Sequence, residues 1–327
     1  MRIGGLVCGF SLAAALAAAG IDWQARMIEG QALHERGEYA QAEAWFRQTL
    51  KMADEAGAGE EVRLSLLVAV ASQTFELGRY GDAERLFRGV LREIEQRHGK
   101  EDAEYGVQLT NLASVETARG HRDQAEALIR ESIAILRAAE GADGLRLALA
   151  RNLLGETLMF GGKPDEAEPA LLQARTAMEK NLGAGHERVA IVINNLAALR
   201  RMQGRPAEAA VLFEQAVNLL VGAKGPDHPH VLRTLGNLAT VYQETGRLQE
   251  AEAIYRRALD AAARRLGTDH PTYSALLANY ATLLRKTGRK AEAKELSARS
   301  RAIRDGADRR NGEGATVDVR ELASISK

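Results

Sequence analysis

The sequence predicts an all-α chain built as a solenoid, with antiparallel helix pairs stacked in series and no single globular core. Three observations carry this. Seven glycines, Gly37, Gly78, Gly120, Gly162, Gly204, Gly246 and Gly288, follow one another at spacings of 41, 42, 42, 42, 42 and 42 residues. Five residues after each stands an alanine: Ala42, Ala83, Ala125, Ala167, Ala209, Ala251 and Ala293. Around these marks the apolar residues fall at i, i+3, i+4 and i+7, the spacing of an amphipathic helix. A unit that recurs with this period cannot bury its apolar face alone, so units stack and cover one another.

The composition agrees. Ala, Leu, Glu and Arg dominate, and aromatic residues make up only 5% of the 327 residues. Those four residues lose little rotamer freedom in a helix. The formal net charge is zero, which argues against a general nucleic-acid binder, since such a protein needs a surplus of Lys and Arg.

The first twenty residues stand apart. Arg2 gives a positive start, Ile3 to Ala19 carry no charge, and Ala17-Ala18-Ala19 offers small residues for cleavage. This pattern predicts a secretory signal peptide over 1–20, cut near Ala19 or Gly20, and hence a periplasmic or secreted protein. An uncleaved membrane anchor is the alternative, and membrane contact is expected only in that case. Cys8, the single cysteine, lies inside this segment. The residues before it, Gly5-Leu6-Val7, do not fit a lipoprotein signal. A mature chain without cysteine has no thiolate chemistry and no cysteine-ligated zinc.

Each unit is read as helix A, a tight turn at the ladder glycine, and helix B. Glycine suits the turn because the end of helix A must turn left-handed. The alanine lies early in helix B, where a small side chain lets two helices approach. Seven positions after the alanine come Thr49, Val90, Ser132, Ala174, Ala216, Ala258 and Ser300, again small or β-branched. Between them stand bulky groups, Phe46, Phe87, Ile129, Leu171, Phe213 and Tyr255, expected to fill the gaps between helices; Ser297 replaces the bulky group in the last unit. Pro164 and Pro206 are placed at the start of helix B, and Pro169 about one turn into it. The loops Gly225-Pro226-Asp227-His228-Pro229 and Gly267-Thr268-Asp269-His270-Pro271 are near copies, with Gly183-Ala184-Gly185-His186-Glu187 a decayed third. The Asp before each His-Pro pair is expected to favour a helix N-terminus. The units run roughly 21–58, 59–101, 102–142, 143–186, 187–228, 229–270 and 271–304. Residues 305–327 leave the pattern, because Asn311-Gly312-Glu313-Gly314 is not expected to continue a helix. They are read as a polar tail.

These residues resemble the tetratricopeptide repeat in its 42-residue, kinesin light chain-like form. The resemblance is carried by Asn-Leu-Ala-x-x-Tyr from Asn237 to Tyr242, Gly-Arg-Leu-x-Glu-Ala-Glu from Gly246 to Glu252, Tyr-x-x-Ala-Leu from Tyr255 to Leu259, and Leu-Gly-x-Asp-His-Pro from Leu266 to Pro271. It implies a right-handed α-solenoid superhelix of seven repeats, with helix A lining a concave groove that holds a peptide or protein partner.

No catalytic constellation stands out. Gly-Lys is never followed by Ser or Thr, there is no Gly-x-Ser-x-Gly, and His186-Glu187 lacks a second histidine at the zincin spacing. His186, His228 and His270 recur once per loop and are read as structural; His228 and His230 have no ligand set around them. Glu43, Glu84, Glu126 and Glu252 each have an arginine four residues on, a pairing that stabilises a helix by about 0.2–0.5 kcal/mol. No catalytic residue, cofactor, metal or small-molecule substrate is therefore expected.

The candidate partner-binding residues lie on helix A. The resemblance places Asn152 and Asn194 where an asparagine contacts the backbone of a bound peptide, an amide being both donor and acceptor. Thr110, Gly236 and Ala278 break that column, and Asn111, Asn195, Asn237 and Asn279 lie one position later, where packing between helices is expected. Met159, Phe160, Met202 and Gln243 are further groove candidates. Arg201, Arg233 and Arg285 suit an acidic or C-terminal group. The Lys and Asn set of the chaperone-tail carboxylate clamp is not reproduced. The reading that follows is an exported, non-enzymatic scaffold for a peptide or protein. The alternatives are a fixed accessory subunit of an envelope or secretion complex, and an enzyme or metal protein centred on His228 and His230.

Overall fold

A computed structural model describes residues 21–312. The expected signal segment and residues 313–327 of the tail lie outside the described residues. Within them the chain forms fourteen α-helices: α1 (Trp23–Glu35), α2 (Tyr39–Glu55), α3 (Glu60–Glu76), α4 (Tyr80–His98), α5 (Ala103–Arg119), α6 (Arg122–Glu140), α7 (Leu145–Phe160), α8 (Pro164–Leu182), α9 (Glu187–Met202), α10 (Pro206–Lys224), α11 (Pro229–Glu244), α12 (Leu248–Leu266), α13 (Pro271–Lys286) and α14 (Lys290–Gly312). Odd-numbered helices are the A helices and even-numbered ones the B helices. They fall into two compact units, one ending at Ala142 and one spanning Asp143–Asp308. Among the described residues no helix is long and apolar enough to cross a membrane.

One backbone device joins every A helix to its B helix. All seven ladder glycines have positive φ, between 74° and 86°. The next residue turns its N–H back onto the last turn of helix A: Glu38 to Leu33 O, Arg79 to Thr74 O, His121 to Glu116 O, Lys163 to Leu158 O, Arg205 to Arg200 O, Arg247 to Tyr242 O and Arg289 to Leu284 O, at 2.8–3.1 Å. This is the six-to-one bond of a glycine-terminated helix. The carbonyl of that same residue accepts the N–H of the ladder alanine, from Ala42 to Glu38 O through to Ala293 to Arg289 O. A single residue therefore closes one helix and opens the next. A second glycine set, Gly99, Gly141, Gly183, Gly225 and Gly267, also has positive φ and ends the B helices.

Tight joints bring the recurring side chains together. The ladder alanines are buried, and Phe46, Phe87, Ile129, Leu171, Phe213 and Tyr255 are among the most enclosed groups. Small residues on helix A make room for them: a Cβ on Gly155 would stand 2.5 Å from Leu171 Cγ, and one on Gly30 2.4 Å from the Phe46 ring. Each such group contributes about 1.5–3 kcal/mol by burial. In the first unit one core runs from Trp23 through Phe46, Phe87 and Leu112 to Ile135.

Ion pairs add a smaller layer. The four expected pairs form, Glu43–Arg47 at 2.9 Å, Glu84–Arg88 and Glu126–Arg130 at 2.8 Å, and Glu252–Arg256 at 2.7 Å. Helix stabilisation is not their whole role. Glu43 also pairs with Arg79, Glu84 with Arg119, and Glu252 with Arg289 at 2.6 Å, each arginine lying at the glycine turn of the following repeat. Glu168–Arg200 at 2.6 Å and Glu214–Arg247 at 3.4 Å tie repeats in the same way. Partly exposed pairs are worth up to about 1 kcal/mol each, so packing dominates and the ions guide register.

The loop histidines are helix caps. Nδ1 of His186, His228 and His270 accepts the backbone N–H of Arg188, His230 and Thr272 at 3.1, 3.2 and 3.1 Å, and Asp102 does the same for Glu104 at 2.8 Å in α5. The preceding aspartates, expected to mark these N-termini, are not the capping groups. Pro164, Pro206, Pro229 and Pro271 begin their helices and Pro169 lies inside α8. The pattern break expected at Asp305 is corrected: α14 runs on to Gly312. Ala307, Arg309 and Arg310 favour helix, and no proline stops it.

A Cβ on Gly246 would meet nothing within 4 Å. Gly246→Ala therefore costs backbone energy alone, about 1–2 kcal/mol for a left-handed alanine. A lower urea midpoint with an unchanged helical spectrum at zero denaturant is the expected readout.

Candidate functional site

The helix-A face of the unit Asp143–Asp308 carries all the sequence-selected residues. Its first feature is a run of carboxamides. Asn237 Nδ2 donates to Asn194 Oδ1 at 3.1 Å, Asn194 Nδ2 to Asn195 Oδ1 at 3.2 Å, and Asn195 Nδ2 to Asn152 Oδ1 at 3.0 Å. The run joins α11, α9 and α7. Asn152 and Asn194 are 5% and 4% exposed. They are rungs of an internal ladder, so Asn194 does not offer the free amide expected of a peptide contact. Asn195 and Asn237 bridge helices, as expected of their position.

The other candidates divide. Met159 is fully buried and belongs to the core, contrary to its placement in the groove; its thioether fills space between helices. Gln243 is buried, and its backbone carbonyl accepts from Lys286 Nζ at 2.6 Å. Phe160 is half-buried and Met202 is 43% exposed. Arg285 is exposed, held by Ser297 Oγ at 3.0 Å and Thr282 Oγ1 at 2.7 Å. It does not join the other two arginines.

Arg201 and Arg233 line one cleft of about 560 Å³, a size in the range of ordinary ligand sites, ~300–1,000 Å³. It is lined by α9, α11 and α13 together with Ser300, Ile303 and Arg304 of α14. Gly236 and Ala278 stand on its wall in the column that Asn152 and Asn194 occupy earlier, and their small side chains leave the space open. Arg201 pairs with Glu244 at 2.8 Å. Arg233 and Arg304 form no hydrogen bond or ion pair among the described residues.

Family models described as tetratricopeptide repeat match residues 23–48, 107–144, 145–220, 213–264 and 230–305, well over half of the chain. The chain is a tetratricopeptide repeat protein. Proteins of this family are typically non-enzymatic scaffolds for protein interaction. No curated protein sequence matches the chain. Among solved structures, it is similar to a Podosopora anserina putative kinesin light chain with nearly identical repeats, at 25% identity over 64% of this chain and 99% of that one, TM-score 0.48. BtubC (BKLC) from P. vanneervenii shares 22% identity over 72% and 92% of the two chains, TM-score 0.50. The Rap protein complexed with competence and sporulation factor shares the fold, with 12% identity, coverage of 88% and 99%, and TM-score 0.58.

Two residues of this tetratricopeptide repeat face escaped the sequence reading. Arg304 lies on a B helix, outside the A helices to which the resemblance points. Glu156 is the other. Its repeat-mates are Gln31, Ser72, Ser114, Ala198, Thr240 and Thr282, all uncharged, so a charge in this column was a visible irregularity. Its carboxyl is buried and Oε2 has no hydrogen-bond partner among the described residues. Burial pushes its pKa up to about 8, against the pull of the Arg233 cation. The histidine pair is accounted for otherwise: His228 caps α11 and meets His230 ring-to-edge at 5.0 Å.

A raised carboxyl pKa means the folded state holds a proton that the unfolded state has released. The contribution of Glu156 is full below pH 4.5 and declines as pH rises toward 8, by about 1.4 kcal/mol per pH unit within that window. Glu156→Gln removes this slope. Urea unfolding at pH 5 and pH 8 should show the variant gaining on the parent chain at the higher pH; a parallel response of the two proteins contradicts the assignment.

Proposed function

We propose that this protein is an exported scaffold whose helix-A face, in the unit Asp143–Asp308, holds an extended segment of a protein partner. The observation that carries this reading is the cleft itself. It opens on the A helices α9, α11 and α13, where Gly236 and Ala278 follow Asn152 and Asn194 in their column. Thr272 and Asn279 offer polar groups along it, and Pro271, Leu276 and Ile303 offer apolar surface. A backbone with alternating side chains needs both kinds of contact. Exposed Met202, near the end of α9, adds apolar surface to the same A helix. The charge-free run Ile3–Ala19 supports export.

A photo-crosslinking residue at Ala275, on the cleft, should label one partner reproducibly in the source cell. The same group at Ala253, exposed on the B helix α12, should not. Equal labelling from both positions, or none from Ala275, contradicts the reading. Sequencing the N-terminus of protein recovered outside the cytoplasm should return a start near Ile21; recovery only from the cytoplasm with Met1 intact removes export from the proposal.

A further inference from the structure

Each repeat grips the next at fixed columns of the sequence, and both ends of the array break those columns. In the interior, the glutamate after the ladder alanine is met from the following repeat. Glu252 accepts the Tyr280 hydroxyl at 2.9 Å and pairs with Arg289 at 2.6 Å, and Glu43 pairs with Arg79. Further along helix B, Leu220 packs against Val231 of the next A helix. At the last repeat this B-helix side changes sign. Lys294 stands in the column of Glu43, Glu84, Glu126, Glu168 and Glu252, which Ala210 alone interrupts before it. Arg304 stands in the column of Ala53, Ile94, Leu136, Met178, Leu220 and Ala262, all of them buried. Lys294 and Arg304 are exposed, and neither has an ion pair among the described residues.

The first repeat changes sign in the opposite sense. Glu38 stands in the column of Arg79, His121, Lys163, Arg205, Arg247 and Arg289. Glu29 stands in the column of Val70, Leu112, Leu154, Leu196, Leu238 and Tyr280, all of them buried. Asp22, the N-cap of α1, falls in the column of Val231. Asp22 and Glu29 are exposed and have no ion pair among the described residues. Glu38 holds only its neighbour Arg36, at 3.1 Å in the open. Arg26, the cation between them, is turned back onto the Trp45 ring and Thr49 Oγ1 of α2. Charges that merely kept the two ends wet would need no particular sign. These signs are complementary, acid on the α1 end and base on the α14 end.

We propose that the two ends of the array form a head-to-tail interface between copies of this chain, α1 and α2 of one copy docking on α13 and α14 of another as the next repeat would. With α1 set against α14 as α13 is set against α12, Glu29 takes the place of Tyr280 and Glu38 that of Arg289. Both then face Lys294, which takes the place of Glu252. Asp22 takes the place of Val231 and faces Arg304 in the place of Leu220. Ile28, 63% exposed, lies in the column of Asn237, whose amide reaches back to Asn194. Opposite Ile28 stands Ala278, so an apolar pair replaces an amide pair. The contact continues the packing that already joins one repeat to the next, with its charges exchanged. Two α1 ends would set acid against acid, and two α14 ends base against base. The interface therefore joins unlike surfaces, and each added copy leaves a further end open. This inference stands apart from the reading of the cleft.

The test uses the protein as purified from its source cell, its mass read by sedimentation equilibrium over a wide range of concentration. The mass should rise with concentration past that of a dimer, and fall back when added salt screens the pairs. Lys294→Glu with Arg304→Glu reverses one end, and Glu29→Lys with Glu38→Lys reverses the other. These side chains are exposed or half-buried, so both variants should keep the parent helical spectrum. Each alone should associate about a hundredfold more weakly, because attractions become like-charge contacts. Mixed in equal amounts, the two should associate again, since the acidic α14 end of one then meets the basic α1 end of the other. A loss of packing would not be repaired by mixing. A parent chain that stays monomeric at every concentration overturns the proposal. So does association that neither reversal weakens, or a pair of variants that stays monomeric when mixed. A monomer that still cross-links a different protein at Ala275 leaves the scaffold reading standing and refutes this inference.

Discussion

Everything regular in this chain depends on one joint, the residue that follows each ladder glycine. Its N–H closes helix A and its carbonyl opens helix B, so two helices meet with no loop between them. The glycine makes this possible by taking a positive φ that would cost another residue about 1–2 kcal/mol. With the helices held so close, the side chain five residues past the glycine must be small, which is why alanine stands there seven times. The bulky group four residues further on then reaches the gap left by glycine or alanine on helix A. The glutamate after the alanine comes within reach of the arginine at the next glycine turn. The period of the sequence is thus the period of a backbone joint, and packing and ion pairing follow from it.

That dependence explains what could be read in advance. The joints, the helix pairs, the buried columns and the prolines were legible, because each is a local consequence repeated seven times. Features that depend on a single position or on partners two repeats away were not. The end of the array was placed at Arg304, although Ala307 to Arg310 suit a helix and α14 runs to Gly312. Met159 looked like a groove residue from its place on helix A, yet the packing of α7 encloses it completely. The histidine loops were seen to be structural, but the capping role of the imidazole, in place of the neighbouring aspartate, needed coordinates. Of the second glycine set at the ends of the B helices, Gly183, Gly225 and Gly267 were read in the patterned loops, whereas Gly99 and Gly141, with the same period, were not.

The candidate site shows the same division more sharply. Asn152 and Asn194 were picked for the chemistry of their side chains, and that chemistry is real, but it is directed at Asn195 and Asn237. A single sequence cannot tell an amide that serves a ligand from one that serves its neighbour. What it did contain were departures: small Gly236 and Ala278 following Asn152 and Asn194 in one column, and charged Glu156 in a column otherwise uncharged. These irregularities mark the open cleft and the buried carboxyl. In a repeat scaffold the regular positions are committed to the stack, and departures from the pattern are the better guide to where function resides.

The open cleft therefore depends on the asparagine ladder stopping at Asn237. Side-chain amide exchange, followed by NMR on the free protein, tests this most directly. Nδ2 protons of Asn194, Asn195 and Asn237 should exchange slowly as members of the ladder, while those of Asn279 exchange at the rate of an unbonded carboxamide. Equal protection at Asn279, or free exchange at Asn237, would contradict a ladder that ends at Asn237 and with it the origin of the cleft.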